Sequence, residues 1–296
     1  MARKYKPLID WVVFSKDRPL QLDGYLRSRS RHATPGYLPN VLVRAEGEYE
    51  QAYSQLAGDF LAQASFKRED DFAAALCGVL EHHIHAPYVC FGCDDVVFTG
   101  PVDADAIDLA FRAEPALLGF SLRLGKHTDT DMFGRPMPAP AFAHPAPPPF
   151  QEYAWVDAAE ARVQWDAAAS AGDWGYPWEV LGTVYPTDYV RDTVAALVRD
   201  GQVQNPSTLE DAGWRRWREF AGERHLMQSF ARSRLVVPTV NVVQSVFGNG
   251  IVGPAGMDPA FLLDCWNRGL RLDVDRYRGM TPPSWRIPDL FLRRAG

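Results

Sequence analysis

Residues 88–100, YVCFGCDDVVFTG, run from an apolar stretch into two adjacent carboxylates, Asp94 and Asp95, and straight back into apolar residues. Paired acidic side chains at the end of a buried strand have one common chemical use. They supply oxygen ligands to a hard divalent cation such as Mg²⁺ or Mn²⁺, which in turn neutralises a substrate diphosphate. A plain turn is the alternative, because Asp is frequent in turns. The stretch lacks the Gly or Asn that a hairpin wants, and VVF resumes at once, so the two readings stand level. A second polar cluster, Ser15-Lys16-Asp17-Arg18, follows the apolar run DWVVFS. The neighbouring HHIHAPYVCFGC offers His82, His83, His85, Cys90 and Cys93, which invites a zinc site. On a strand, Cys90 and Cys93 are an odd number of residues apart and project to opposite faces, so a joint zinc site is disfavoured. Free Cys is ordinarily a small buried hydrophobe.

These residues need elements to hold them. DWVVFS reads as a strand, Pro19 as the first turn of a helix with Leu22, Tyr25 and Leu26 on one stripe, and NVLVRA as a second strand. Tyr53, Leu56 and Phe60 space a helix over residues 49–61. Phe72, Leu76, Val79 and Leu80 space a third helix before the strand YVCFGC. SFKREDDF, just ahead of that helix, reads as a charged surface turn in which Lys67 or Arg68 is the candidate to reach a phosphate. Alternating strands and helices predict an α/β fold with a mostly parallel central sheet covered on both faces. Ligands then gather at the carboxyl ends of the strands, where both polar clusters fall.

The second half begins with the strand ALLGFSLRLG and a proline-rich loop from Arg135 to Phe150. The alanine-rich VDAAEARVQWDAAASAG reads as helix, and so does LEDAGWRRWREFAG. HLMQSFARSR is amphipathic, with His225 at a helix start, and LVVPTVNVVQSVF reads as a closing strand. From Tyr277 onward, proline and arginine predict an irregular tail over the surface. No internal repeat is present.

The chain has 296 residues, 47% of them hydrophobic, enough for one sizeable core or two closely fused lobes. A formal net charge of −6 gives no global positive field, so a nucleic-acid partner is disfavoured. The basic start MARKYKPLIDWVVFSKDRP is interrupted by Asp10 and Lys16 and is read as neither signal peptide nor transmembrane segment. Four sparse cysteines are read as reduced thiols of a cytoplasmic protein, with peripheral attachment to a membrane left open.

VVFSKDRPLQLDGYLRS together with YVCFGCDDVVF resembles the nucleotide-binding half of a GT-A type glycosyltransferase, chiefly over residues 8–125. The resemblance implies a single GT-A-like, Rossmann-type α/β sandwich over residues 1–296. Residues 1–120 would form the nucleotide-donor half, and 121–296 the acceptor half with a carboxyl-terminal tail. It further implies a nucleotide-sugar donor, a glycan or other hydroxyl acceptor, and Mn²⁺ or Mg²⁺ as cofactor. Phe14, Ser15, Lys16, Asp17 and Arg18 would line the nucleoside pocket. Cys93-Asp94-Asp95 is closer to the xDD variant than to a strict DxD. Asp95 is the expected direct metal ligand, with Asp94 on the donor ribose or sugar. His225 would be a third ligand late in the chain, with Asn241 and Gln244 as alternatives.

An inverting transferase needs a carboxylate to deprotonate the acceptor, and NPSTLEDAGW offers Glu210 and Asp211, with Asp173 of GDWGYPW as the runner-up. Ser207-Thr208-Leu209-Glu210 also fits a capping box, which needs no chemistry. Trp174, Tyr176 and Trp178, set between Gly and Pro, are candidates to stack on an acceptor sugar. Two other classes remain. A nucleotidyltransferase would carry a glycine-rich phosphate loop, and SKDRP has no glycine. A non-catalytic glycan-binding protein would use the aromatics alone.

Overall fold

Strand β1 (Ile9–Lys16) is buried along all but its last residue, so it must be covered on both faces. The computed structural model describes residues 6–33, 38–131, 133–143, 161–220, 224–244, 246–247 and 253–295. After β1 come α1 (Pro19–His32), β2 (Asn40–Arg44), α2 (Tyr49–Asp59), β3 (Ser65–Arg68), α3 (Phe72–His82) and β4 (Tyr88–Cys93). The chain continues through β5 (Val97–Phe98), α4 (Ala104–Ala113), β6 (Leu117–Ser121), β7 (Arg162–Asp166), β8 (Thr183–Pro186), α5 (Thr187–Arg199) and α6 (Pro206–Glu219). It closes with β9 (Leu226–Phe230), β10 (Leu235–Pro238), α7 (Pro259–Asn267), β11 (Leu270–Leu272), β12 (Arg286–Ile287) and β13 (Leu292–Arg294).

Eight strands form one sheet in the order β3-β2-β1-β4-β8-β6-β9-β7. Parallel pairing joins β3, β2, β1 and β4, and also β6 with β9. Only β8 and β7 run against the rest. The expected mostly parallel α/β sheet is therefore the observed one. Because β8 is reversed, its first residue lies at the same edge as the last residues of β1, β4 and β6. Two small sheets, β12-β10-β5 and β11-β13, pack beyond this layer. Between β4 and β5 the chain turns, with the Val96 N–H donating to the Cys93 carbonyl at 3.1 Å. Asp94 and Asp95 occupy that corner, so the turn and the ligand readings describe the same two residues.

Four elements differ from expectation. The charged segment at 65–68 is an edge strand, β3, rather than a turn. Residues 162–166 form β7 inside the stretch read as helix, because Val163 and Trp165 alternate inward at period two and override the alanine content. The expected helix residues 156–160, and residues 144–150 of the proline-rich loop, lie outside the described residues. His225 precedes strand β9, not a helix. The tail does not simply wrap the surface, since Trp285 is buried and β12 pairs with β10.

The sheet buries two hydrophobic layers. On one face Phe14 packs on Phe72 and Phe91, and Trp178 packs on Tyr185 with ring centroids 5.0 Å apart. Helix α6 lies against Trp178 at Gly213, where an added Cβ would sit 1.8 Å from the indole nitrogen. Gly213→Ala is therefore expected to cost about 1–3 kcal/mol of stability, read as a lower urea midpoint. An unchanged midpoint would show that α6 is not held this closely. Among the described residues, no helix is long and apolar enough to cross a membrane.

Candidate active site

The residue after β1 makes an unusual turn: Asp17 has φ +52°, a left-handed conformation uncommon for a residue with a Cβ. Its N–H donates to the Arg44 carbonyl, and its Oδ1 accepts from the Glu46 N–H at 3.1 Å, which ties the β1 and β2 loops together. Arg18 follows, buried, and reaches the corner after β4. Its Nη1 donates to Asp94 Oδ1 at 3.0 Å and to Asp95 Oδ2 at 2.8 Å, while Nη2 donates to the Asn241 carbonyl at 2.8 Å. One guanidinium thus joins the first polar cluster, the carboxylate pair and the strand-end segment after β10.

Asp94 is anchored further by Ser15 Oγ at 2.8 Å and by the Lys16 N–H at 3.2 Å. The Tyr53 hydroxyl lies 2.5 Å from Ser15 Oγ and accepts the Arg18 N–H at 3.0 Å. Since Ser15 spends its one proton on Asp94, the tyrosine must donate to Ser15, giving a directed chain Arg18 to Tyr53 to Ser15 to Asp94. Burial pushes the Asp94 carboxyl up to about 6, against the opposing pull of Arg18, with Asp95 adding to the rise. Burial works against the Arg18 charge too, but Asp94 and Asp95 outweigh it and hold the guanidinium protonated. The network leaves one carboxylate oxygen open. Asp95 Oδ1 is buried with no hydrogen-bond partner among the described residues, and so is Asn241 Oδ1.

These orphaned oxygens are the test of a divalent cation. Mg²⁺ and Mn²⁺ sites in this chemistry use one or two carboxylates and take the rest of their ligands from phosphate and water. Asp95 Oδ1 satisfies that need, whereas both Asp94 oxygens already accept from protein donors. Among the described residues no three His, Cys, Asp or Glu side chains gather as a metal centre.

A second acidic group lies at the same edge. Cys93 Sγ contacts the Val180 carbonyl at 3.8 Å, and the Val180 N–H donates to Glu210 Oε2 at 3.2 Å. Two short links therefore carry from the carboxylate corner to Glu210. Burial pushes the Glu210 carboxyl up to about 7; Glu179 adds to the rise, while Arg123, the Val180 N–H and the Tyr176 hydroxyl oppose it. Arg123, from just beyond β6, lies 3.7 Å from Asp173 and stacks on the Trp285 ring at 4.6 Å. It also faces Glu179 and Glu210.

Several expected site residues belong elsewhere. The α6 capping box is formed by Asn205 and Thr208, so Ser207 and Glu210 do not cap each other and Glu210 is released to face inward. Asp211 pairs with Arg215 at 3.0 Å on the outer helix face. Asp173 is buried and accepts from Trp285 Nε1 at 2.7 Å, with Arg123 3.7 Å from its other oxygen. Trp174 and Trp178 are fully buried and cannot meet an acceptor. Tyr176 is half-buried, packs on Trp214 at 5.3 Å, and borders a cleft of about 440 Å³ with Trp214, Trp217 and Arg218. His225 stands at the opposite edge of the sheet, 3.9 Å from Asp166, because β9 starts where β7 ends. It cannot be a ligand beside Asp95. Phe14 is core, leaving Ser15, Lys16, Asp17 and Arg18 at the strand end. Arg68 is exposed and paired with Asp70 at 2.8 Å and Glu50 at 3.7 Å, so its charge is met by acids rather than offered to a phosphate. Sequence reading missed Tyr53, Arg123 and Glu179. A lone acid between Trp178 and Val180 was the one signal available for the last.

No family model matches the chain. The sequence is 24% identical over 266 residues to the bifunctional glycosyltransferase pgtA of Dictyostelium discoideum, a match covering 81% of this chain and 33% of that protein. The chain thus spans about a third of that relative's length. Similar solved structures include S. aureus TarS, with TM-score 0.46, 12% identity and coverage of 78% of this chain and 36% of the other. Another is the mannosyltransferase PcManGT from Pyrobaculum calidifontis in complex with GDP-Man and Mn²⁺, with TM-score 0.31, 16% identity and coverage of 44% and 42%. Similarity in sequence to a glycosyltransferase therefore extends beyond the two motifs of residues 8–125.

Proposed function

We propose that the chain moves a sugar from a nucleoside-diphosphate sugar to an acceptor hydroxyl, with residues 1–120 holding the donor and residues 121–296 the acceptor. One observation carries this reading: the carboxylate corner at Asp94 and Asp95 and the inward-facing Glu210 meet at one sheet edge, linked through Cys93 and Val180. Ser15 and the Lys16 backbone hold Asp94 in place, and Arg18 ties both aspartates to the first loop. Asp95 Oδ1 is the oxygen that would hold Mn²⁺ or Mg²⁺. Such an ion would offset the charge of the leaving diphosphate.

Glu210 is the base. It takes the proton of the acceptor hydroxyl as the new O–C bond forms at the anomeric carbon and the bond to the diphosphate breaks, the electron pair leaving on the phosphate oxygen. Tyr176, hydrogen-bonded to Glu210, borders the acceptor side.

Calorimetric titration with UDP, GDP, CMP and dTDP sugars and with nucleoside triphosphates, each with and without Mn²⁺, tests the reading. Metal-dependent binding of one sugar nucleotide is the expected result. Binding of a nucleoside triphosphate instead would favour nucleotidyl transfer, and silence toward all of them would leave a glycan-binding protein.

A further inference from the structure

Glu179 lies in the loop before β8 and is buried, 1% exposed, yet it is used by nothing in the reading above. Its Oε2 accepts the Leu181 N–H, and its Oε1 is buried with no partner among the described residues. The next amide along, Val180 N–H, serves Glu210. Two consecutive backbone donors therefore hold two carboxylates side by side.

The loop that presents them is fixed. The Tyr185 hydroxyl accepts the Glu179 N–H at 2.8 Å and donates to the Pro177 carbonyl at 2.8 Å, and Trp178 packs between Tyr185 and α6. From just beyond β6, Arg123 faces this pair and is shared with Asp173. Tyr176 and Tyr185 face it from the loop and from β8, and Cys90 and Cys93 face it from β4. Arg286, on β12, acts on Asp173 and Asp95. Two acids beside one shared guanidinium cannot both be neutralised, and a buried carboxylate retained with an unpartnered oxygen is costly. Perturbed acids of this kind cluster at functional sites.

We propose that Glu179 is a positioning residue for Glu210: its carboxylate, held behind Val180 beside that of Glu210, makes Glu210 a stronger base toward the acceptor's proton. The inference rests on the transferase reading, in which Glu210 is the base. The acceptor O–H breaks, its proton passes to Glu210, and the leaving diphosphate takes the electron pair of the broken glycosyl bond.

Carbon NMR of the protein carrying glutamate labelled at the side-chain carboxyl follows Glu210 directly, its signal assigned by loss in Glu210→Gln. Wild type is expected to titrate at about 7. Glu179→Gln should move that midpoint down by about one unit or more, because a like charge has been removed. Glu179→Asp, which draws the charge back by one methylene, should fall between the two. The acid limb of sugar transfer should move in step. A Glu210 midpoint unmoved in Glu179→Gln overturns the proposal; should that variant not fold, an unmoved midpoint in Glu179→Asp does so. If sugar nucleotides bind wild type while the midpoint stays put, only this inference falls. If none binds, the transferase reading falls even where the midpoint moves.

Discussion

Asp95→Ala is expected to weaken metal-dependent binding of the sugar nucleotide on the order of 100-fold, with little change in thermal unfolding. The reason lies in how the two aspartates divide their work. Asp95 gives one oxygen to Arg18 and leaves the other open, so its removal opens the site while Arg18 keeps Asp94 and the Asn241 carbonyl. Asp94→Ala makes the contrast. It would strip Ser15, Lys16 and Arg18 of their shared acceptor and leave a buried guanidinium half-compensated, at about 3–5 kcal/mol. Calorimetry with Mn²⁺ and the cognate nucleotide, beside thermal melts of both variants, separates the two effects. Unchanged donor binding in Asp95→Ala would mean that the site is misplaced.

The second large effect belongs to Glu210→Gln, which should lower transfer by about 10³-fold with donor affinity intact. The amide keeps an oxygen for the Val180 N–H, and the capping of α6 is untouched because Asn205 and Thr208 provide it. A base must be ionised to act, so wild-type transfer should rise with pH through about 7 and then level, a limb absent in the variant. Stability should run the other way. A carboxyl raised from 4.5 unfolded to about 7 folded binds its proton more tightly in the native state, so this contribution is present at low pH and is lost as pH rises through that window. Asp94, raised to about 6, adds with the same sign. Full activity in Glu210→Gln would assign the proton transfer to another group.

The edge that carries the carboxylate pair was legible because its signals are local. An apolar run ending in SKDR, another ending in CDD, and helices with clean stripes between them fix a parallel arrangement and put both clusters at one edge. What could not be read was register and facing. His225 fell at the wrong edge because LMQSF pairs as a strand, and only strand direction tells which end faces the cleft. The tryptophans of GDWGYPWEV looked like a binding loop because Gly and Pro surround them, yet Trp174 and Trp178 plug two sides of the core. Arg123 and Glu179 carry no motif at all; their meaning comes from meeting across strands far apart in sequence. Glu210 was named alongside a cap it does not form. The cap had moved two residues earlier, to Asn205, which freed the very side chain in question.

Strand β8, entered against its neighbours, stitches the early and late parts of the chain into one unbroken layer. Proteins built as two lobes admit and release ligands by swinging about a hinge. Here the ladder through β4, β8 and β6 runs across the place where such a hinge would lie. Movement that admits a ligand to the cleft is therefore expected in the loops at its rim rather than across the sheet.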